Sequence, residues 1–220
     1  MRVAVIEDQV LVRDYLAALL RRHFGAEDVI AIGSMAELQA REAELNGMQL
    51  VLLDIELGDG TTLDWAVQRS QSGRACVMVA LSSLRGAFPF KQLQAAGISL
   101  VHKNDGESDL INVIRQTLGG SVMLSRGAME VISEAGRDPN SPVKLLSERE
   151  LRVLALLGQR LGNDEIAEML GCAVATAADH RKRIMRKLGL HTIEDVIDYA
   201  IRHGVIHDST AAAAHAKRKS

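Results

Sequence analysis

The feature that most constrains this chain is an alternation confined to its first 120 residues. Five short apolar runs, 3–6, 29–32, 50–53, 76–81 and 98–102, are separated by stretches whose apolar residues recur at helical spacing, 11–24, 35–44, 63–70, 88–96 and 110–118. Short apolar runs without strict alternation read as strands buried on both faces, and connections long enough to hold a helix let neighbouring strands run parallel. The expected fold is α/β, a doubly wound five-stranded parallel sheet of flavodoxin-like type. Gly25, Gly47, Gly73 and Gly97 fall where the helices should end and the chain turn back.

Beyond residue 120 the strand signal stops. Residues 136–144, GRDPNSPVK, carry two of the three prolines together with Gly, Asn and Ser, a composition suited to an exposed linker. After it only helical periodicity remains, over 148–157, 164–170, 174–188 and 193–203. The expected organisation is therefore a first domain at 1–120, a connecting helix and linker at 121–144, a small all-α domain at 145–206, and a disordered basic tail at 207–220. A length of 220 residues suits two domains, and 47% hydrophobic with 25% charged residues excludes a largely disordered chain. No apolar run approaches the roughly 18 residues of a membrane span, and the opening MRVAVIEDQVLVRDYL places acids inside what a signal peptide would keep apolar. The expected setting is cytoplasmic, without membrane partners. Cys76 and Cys172 lack CxxC or metal-ligand spacing and read as two buried thiols. The net charge of −2 conceals a segregation: −4 over 1–120, −1 over 121–140 and +3 over 141–220. A polyanion such as nucleic acid is invited by the C-terminal part and not by the N-terminal one.

In an open parallel sheet, ligands bind beyond the carboxyl ends of the strands. Glu7 and Asp8 follow the first strand and Asp54 follows the third. Clustered carboxylates repel one another unless a hard divalent cation, most simply Mg2+, offsets the charge, and such an ion also lets an anionic nucleophile accept a phosphoryl group. The fourth strand ends at Ser82, a hydroxyl donor for a phosphoryl oxygen, and the fifth at Lys103, a cation for another. With these residues in order (Glu7-Asp8, Asp54 in LVLLDIELGDG, Ser82 in VALSS, Lys103 in LVHKND), the segment 1–120 resembles the receiver domain of two-component response regulators. The resemblance implies that Asp54 accepts a phosphoryl group from a histidine kinase. It implies that Asp8, Asp54 and the backbone carbonyl of Glu56 hold Mg2+, with Glu7 acting through a water, and that Ser82 and Lys103 read the phosphoryl group. The chain departs from that family's pattern at Gly58, usually Pro, at Thr62, usually Gly, and at Leu100, usually the Tyr or Phe whose ring switches with the hydroxyl of the fourth strand. Glu56 adds an anion beside the entering phosphate, and Phe88-Pro89-Phe90 offers either a partner face or core packing.

The all-α domain contains the stretch HRKRIMRK at 180–187, five of whose eight residues are Lys or Arg. Helical spacing turns Val174, Ala177, Ile184 and Leu188 inward and positions 178, 179, 182, 183 and 186 outward. A preceding short helix and a tight turn at Gly171 make this helix-turn-helix geometry, whose second helix enters the major groove. The stretches LLSERELRVLALL, NDEIAEMLG, TAADHRKRIMRKLGL and DYAIRHGVI resemble the LuxR-type DNA-binding domain of NarL/FixJ response regulators. That resemblance assigns Arg149 and Glu150 to bracing, and Asn163, Glu165, Ile166 and Ala167 to the scaffold helix. Thr176, Asp179, His180, Lys182, Arg183, Arg186 and Lys187 become the expected DNA face. The last helix carries Ile193, Val196, Ile197, Ala200 and Ile201 as a stripe that either pairs two protomers or packs on its own domain. Ala177-Ala178-Asp179 after Thr176 and Arg160 in place of an expected glycine are the departures here.

The resulting expectation is a transcription factor, not an enzyme beyond self-catalysed phosphoryl transfer and loss. Promoter DNA, a sensor kinase and a second copy of the chain are its expected partners. The alternative keeps the fold and dimerises without needing phosphorylation. Phosphatases that form an aspartyl phosphate usually have Asp where Glu56 stands, and no P-loop, GxSxG or HExxH is present.

Overall fold

The computed structural model describes residues 1–72 and 76–206. The elements, in order, are β1 (Arg2–Ile6), α1 (Val10–Phe24), β2 (Asp28–Ile32), α2 (Met35–Ala40), β3 (Leu50–Asp54), β4 (Glu56–Leu57), β5 (Gly60–Thr61), α3 (Leu63–Gln71), β6 (Val77–Ser82), α4 (Ala87–Ala95), β7 (Ser99–His102), α5 (Glu107–Leu118), α6 (Arg126–Arg137), α7 (Pro142–Leu145), α8 (Glu148–Gly158), α9 (Asn163–Leu170), α10 (Val174–Leu188) and α11 (Ile193–Arg202). The described residues form two compact units, one from Met1–Ser83 with Pro89–Glu130 and the other from Leu84–Phe88 with residues 131–206.

The first unit is the expected sheet, in the order β2-β1-β3-β6-β7 with every pairing parallel. All five residues of the central strand β3 are buried, which explains its unbroken apolar run. Val3, Val5, Leu50, Leu52, Val79, Leu81 and Val101 face Leu16, Leu19 and Leu20 of α1 and Leu110, Val113 and Ile114 of α5. Strand alternation and right-handed crossovers send Ala4, Ile6, Val51, Leu53, Ala80 and Leu100, all buried, to the opposite layer of α2–α4. The sheet order reverses beside β1, so the carboxyl ends of β1 and β3 lie together at the switch point. The helix expected over 35–44 is divided: α2 stops at Ala40 and a 3₁₀ turn takes Glu42–Leu45. Gly73 and the tail from 207 lie outside the described residues.

Of the two alternatives for Phe88-Pro89-Phe90, core packing holds, and the reading of the linker is revised in part. Phe88 and Phe90 are 4% and 0% exposed, so they fill core and offer no aromatic partner face. The stretch read as an exposed linker is exposed at Gly136, Arg137, Pro139, Asn140 and Lys144 but partly helical: α6 runs to Arg137, and α7 begins at Pro142, which is buried with Ser141. Proline at a first helical position has a suitable φ and no N–H to waste, so here it starts a helical turn where composition suggested an interruption.

In the second unit α8, α9, α10 and α11 close over one core that includes Leu154, Leu157, Ile166, Ala177, Ile184 and Val196. Ser147 and Glu150 cap α8 reciprocally, and Gly171 ends α9 in the left-handed region at φ 61°. Val174 is the exception to the expected inward set: as the first residue of α10 it lies 45% exposed, short of the core. Arg160, at the position where the family expects glycine, has φ 62°, the only non-glycine residue with positive φ among the described residues. Its side chain therefore bears the steric cost that glycine would avoid. Arg160→Gly is expected to stabilise the chain by roughly 0.5–1 kcal/mol after glycine's greater unfolded-state entropy is subtracted, read as a higher urea midpoint.

Candidate functional site

The carboxyl ends of β1, β3 and β7 assemble the acid pocket. One oxygen each from Glu7, Asp8 and Asp54 lies within 4.8 Å of the others. Lys103, one residue past β7, donates from Nζ to Asp54 Oδ2 at 2.6 Å and to Glu7 Oε2 at 2.9 Å. Its backbone N–H donates to the Ser82 carbonyl, which ties the ends of β6 and β7 together behind the site. Ser82 is fully buried at the end of β6. Thus the structure brings together the side chains of Glu7, Asp8, Asp54 and Lys103, with Ser82 joined to Lys103 through its backbone carbonyl.

Each carboxylate is held by backbone as well as by charge. Gln9 N–H donates to Glu7 Oε1, Glu56 N–H to Asp54 Oδ1 at 3.1 Å, and Gly58 N–H to Asp8 Oδ2 at 2.8 Å. The two loop departures acquire a physical reason. A proline at 58 would have no N–H for Asp8, and Thr62, fully buried, donates its hydroxyl to the Asp54 carbonyl oxygen at 2.6 Å. Glu56 opens the small β4–β5 hairpin, and its carboxylate accepts from Ser83 Oγ at 3.4 Å. Burial pushes the Asp54 carboxyl above its ordinary range even though Lys103 pulls the other way. Burial, joined by the nearby Asp54 charge, does the same to Glu7. For Lys103 burial opposes the charge, but Asp54 and Glu7 outweigh it and hold the ammonium above its usual value. Three hard oxygen donors with excess negative charge, relieved on one side only by an ammonium, fit a small divalent cation. Leu100 is fully buried in β7 and carries no ring that could swing.

The second candidate is the outer face of α10. Asp179, Lys182, Arg183 and Arg186 are exposed and line one shallow concavity, as the periodicity requires. Thr176 is exposed near the start of the helix, and His180 is half-buried. Lys187 behaves differently: its Nζ donates to Glu150 Oε2 at 2.7 Å. Burial opposes ionisation of Glu150, but bonds from Lys187 and Ser147 outweigh it and hold the carboxyl below its ordinary range. Lys187 is therefore a brace between α10 and α8. The stripe on α11 is largely spent within its own domain, since Val196, Ile197 and Ala200 are 0–4% exposed. Their side chains are core of their own domain, and of the stripe Ile193 and Ile201 keep partly exposed surface.

A phosphoacceptor-type pocket on a doubly wound sheet, followed by a helix-turn-helix unit, defines a class: DNA-binding response regulators. Residues 144–200 match the GerE family, bacterial regulatory proteins of the luxR family. The chain is 30% identical over 215 residues to the transcriptional regulatory protein MctR of Rhizobium johnstonii, covering 93% of this chain and 95% of that one. It is 24% identical over 216 residues to the response regulator UvrY of Escherichia coli, covering 96% and 98%. Among solved structures, RcsB of Salmonella enterica serovar Typhimurium, bound to promoter rprA in the presence of phosphomimetic BeF3-, superposes with a TM-score of 0.66 at 19% identity, covering 90% of this chain and 97% of that one. The chain belongs to the response regulators that carry a LuxR-type DNA-binding domain, and it is a transcription regulator of that family. No helix among the described residues is long and apolar enough to cross a membrane.

Proposed function

We propose that this regulator is switched by phosphorylation of Asp54. The observation that carries the reading is the convergence of Lys103 on Asp54 and Glu7 inside the three-acid cluster. Glu7, Asp8, Asp54 and the backbone carbonyl of Glu56 would hold Mg2+, with Glu7 acting through a water; the ion, when bound, supplies neutralisation of phosphoryl charge. Asp54 Oδ attacks phosphorus of a kinase phosphohistidine. An O–P bond forms, the P–N bond breaks, and the imidazole leaves with a proton from solvent. Lys103 and the Ser82 hydroxyl then bind phosphoryl oxygens.

The output is promoter DNA, which places the site of action in the cytoplasm. Lys182, Arg183 and Arg186 meet phosphates and base edges, Thr176 and His180 flank them, and Asp179 accepts from a cytosine amine while the surrounding cations offset its repulsion of phosphates. Two copies bind together, with Ile193 and Ile201 at the contact. RcsB has been solved as dimers on DNA, and the shared fold supports this arrangement.

Acetyl phosphate with Mg2+ tests the reading. The expected result is one added phosphoryl mass on Asp54 and tighter binding to DNA selected by the protein from a random-sequence duplex pool. Modification without a change in dimerisation or affinity would instead favour the phosphorylation-independent regulator that Leu100 suggests, and an unmodified chain would overturn the switch.

A further inference from the structure

The free edge of the sheet beside the switch carries a connection that the sequence reading did not anticipate. Residues 121–125 run along β7 as a short parallel bridge centred on Leu100 and Leu124. Met123 N–H donates to Ser99 Oγ at 2.9 Å, Leu100 N–H to the Met123 carbonyl at 2.9 Å, and Ser125 N–H to the Leu100 carbonyl at 2.9 Å. The backbone of Leu100, the residue that replaces the switching ring, is thus bonded to this segment through both its N–H and its carbonyl.

Ser125 closes the clip. It is 4% exposed; its Oγ accepts from His102 N–H at 3.0 Å and donates to Asp105 Oδ2. The same hydroxyl and the same carboxylate begin α6: Ala128 N–H points at Ser125 Oγ at 3.4 Å, and Gly127 N–H donates to Asp105 Oδ1 at 3.1 Å. A Cβ at Gly127 would meet Asp105 oxygens at 2.9 Å and His102 Cβ at 3.0 Å, so the approach of α6 to this loop depends on glycine there. His102 and Asp105 flank Lys103 in the chain, and Asp105 N–H is bonded to the His102 carbonyl. One tight turn therefore holds the phosphoryl-sensing ammonium on one side and the start of α6 on the other, and α6 continues into the second unit.

We propose that the state of Asp54 reaches the DNA-binding unit through this His102–Ser125–Asp105 clip, with Ser125 and Asp105 as positioning residues. The inference rests on the phosphorylation reading above. Phosphorylation of Asp54 turns its carboxylate into an acyl phosphate, which takes away the anionic charge that Lys103 pairs with there and offers phosphoryl oxygens farther from the strand end. The ammonium follows, the turn that carries it shifts, and the Asp105–Ser125 bond and first turn of α6 loosen together. Leu100 takes part through its backbone, so no aromatic rotamer is required.

Amide hydrogen exchange of the full chain, before and after treatment with acetyl phosphate and Mg2+, tests this directly. Exchange at the amides of residues 123–129 is expected to rise at least about threefold on phosphorylation. Unchanged or slower exchange there, in a chain shown by mass to be phosphorylated, overturns the clip while leaving the switch intact. A chain that takes up no phosphoryl group overturns both. Ser125→Ala and Asp105→Asn supply a second readout, the latter guarding against misfolding at the buried serine. Both are expected to be phosphorylated to the wild-type extent with residues 123–129 already in fast exchange beforehand. Variants that keep the wild-type exchange pattern and its full phosphorylation response count against the clip.

Discussion

Asp54→Asn is expected to abolish phosphoryl uptake outright. Acetyl phosphate with Mg2+ should add one phosphoryl mass to the wild-type chain and none to the variant, and any phosphorylation-driven gain in DNA affinity should disappear with it. The expectation follows from how the three acids are held. Asp54 presents Oδ2 to Lys103 while Oδ1 accepts from Glu56 N–H. Glu7 is fully buried and bonded to Gln9 N–H and Lys103, and Asp8 is anchored by Gly58 N–H. Neither neighbour is placed to substitute as nucleophile. Asparagine preserves the size of the side chain and an oxygen for Glu56 N–H, so the fold is retained while the nucleophilic carboxylate is gone. Intact-mass spectrometry reads the result. Phosphorylation of the variant at Asp8 or elsewhere would show that the pocket works differently from the way its geometry implies.

The other large effect is expected on α10. Replacing Lys182, Arg183 and Arg186 together by alanine should weaken DNA binding on the order of 100-fold at moderate salt and lower the slope of log affinity against log salt by about three. All three are exposed, and none of their side chains forms an ion pair or hydrogen bond among the described residues, so stability should move by no more than about 0.5 kcal/mol. Fluorescence anisotropy across a salt series, with a thermal melt beside it, makes the measurement. Lys187→Ala is the internal control: its ammonium holds Glu150, so its loss should appear chiefly in the melt. If Lys187→Ala alone reproduced the loss of affinity and of slope, the division between DNA face and brace would be wrong.

The parts of the site that were legible in the sequence were those whose chemistry is carried by residue type at strand ends. Glu7, Asp8, Asp54, Ser82 and Lys103 are legible as a group because a parallel sheet delivers successive strand ends to one rim. Similarly, periodicity alone separated Ala177 and Ile184 from Asp179, Lys182, Arg183 and Arg186 on α10. What escaped were backbone partners and long-range pairs. Neither the bond from Gly58 N–H to Asp8 nor that from Thr62 to the Asp54 carbonyl leaves a periodic trace, and both join residues made neighbours only by loop conformation. The Lys187–Glu150 pair spans 37 residues; the one available signal was the Ser147-x-x-Glu150 capping pattern, which marked Glu150 as a helix-start residue. The α11 stripe shows the limit of periodicity most clearly, since a helical apolar face is the same whether it is covered by its own core or by a second protomer.

The sequence by itself determined the class of the fold, the order of its two units and the chemistry at each strand end, because these follow from local periodicity and from residue type. Only the tertiary structure decided which cations of α10 stay exposed and unpaired and which is spent on a buried glutamate, that Phe88, Phe90 and most of the α11 stripe are core, and that residues 121–125 are bonded to the edge of β7. These depend on which surfaces meet once the chain has folded, and the free energy of such meetings resides in burial and hydrogen bonds between residues far apart in sequence.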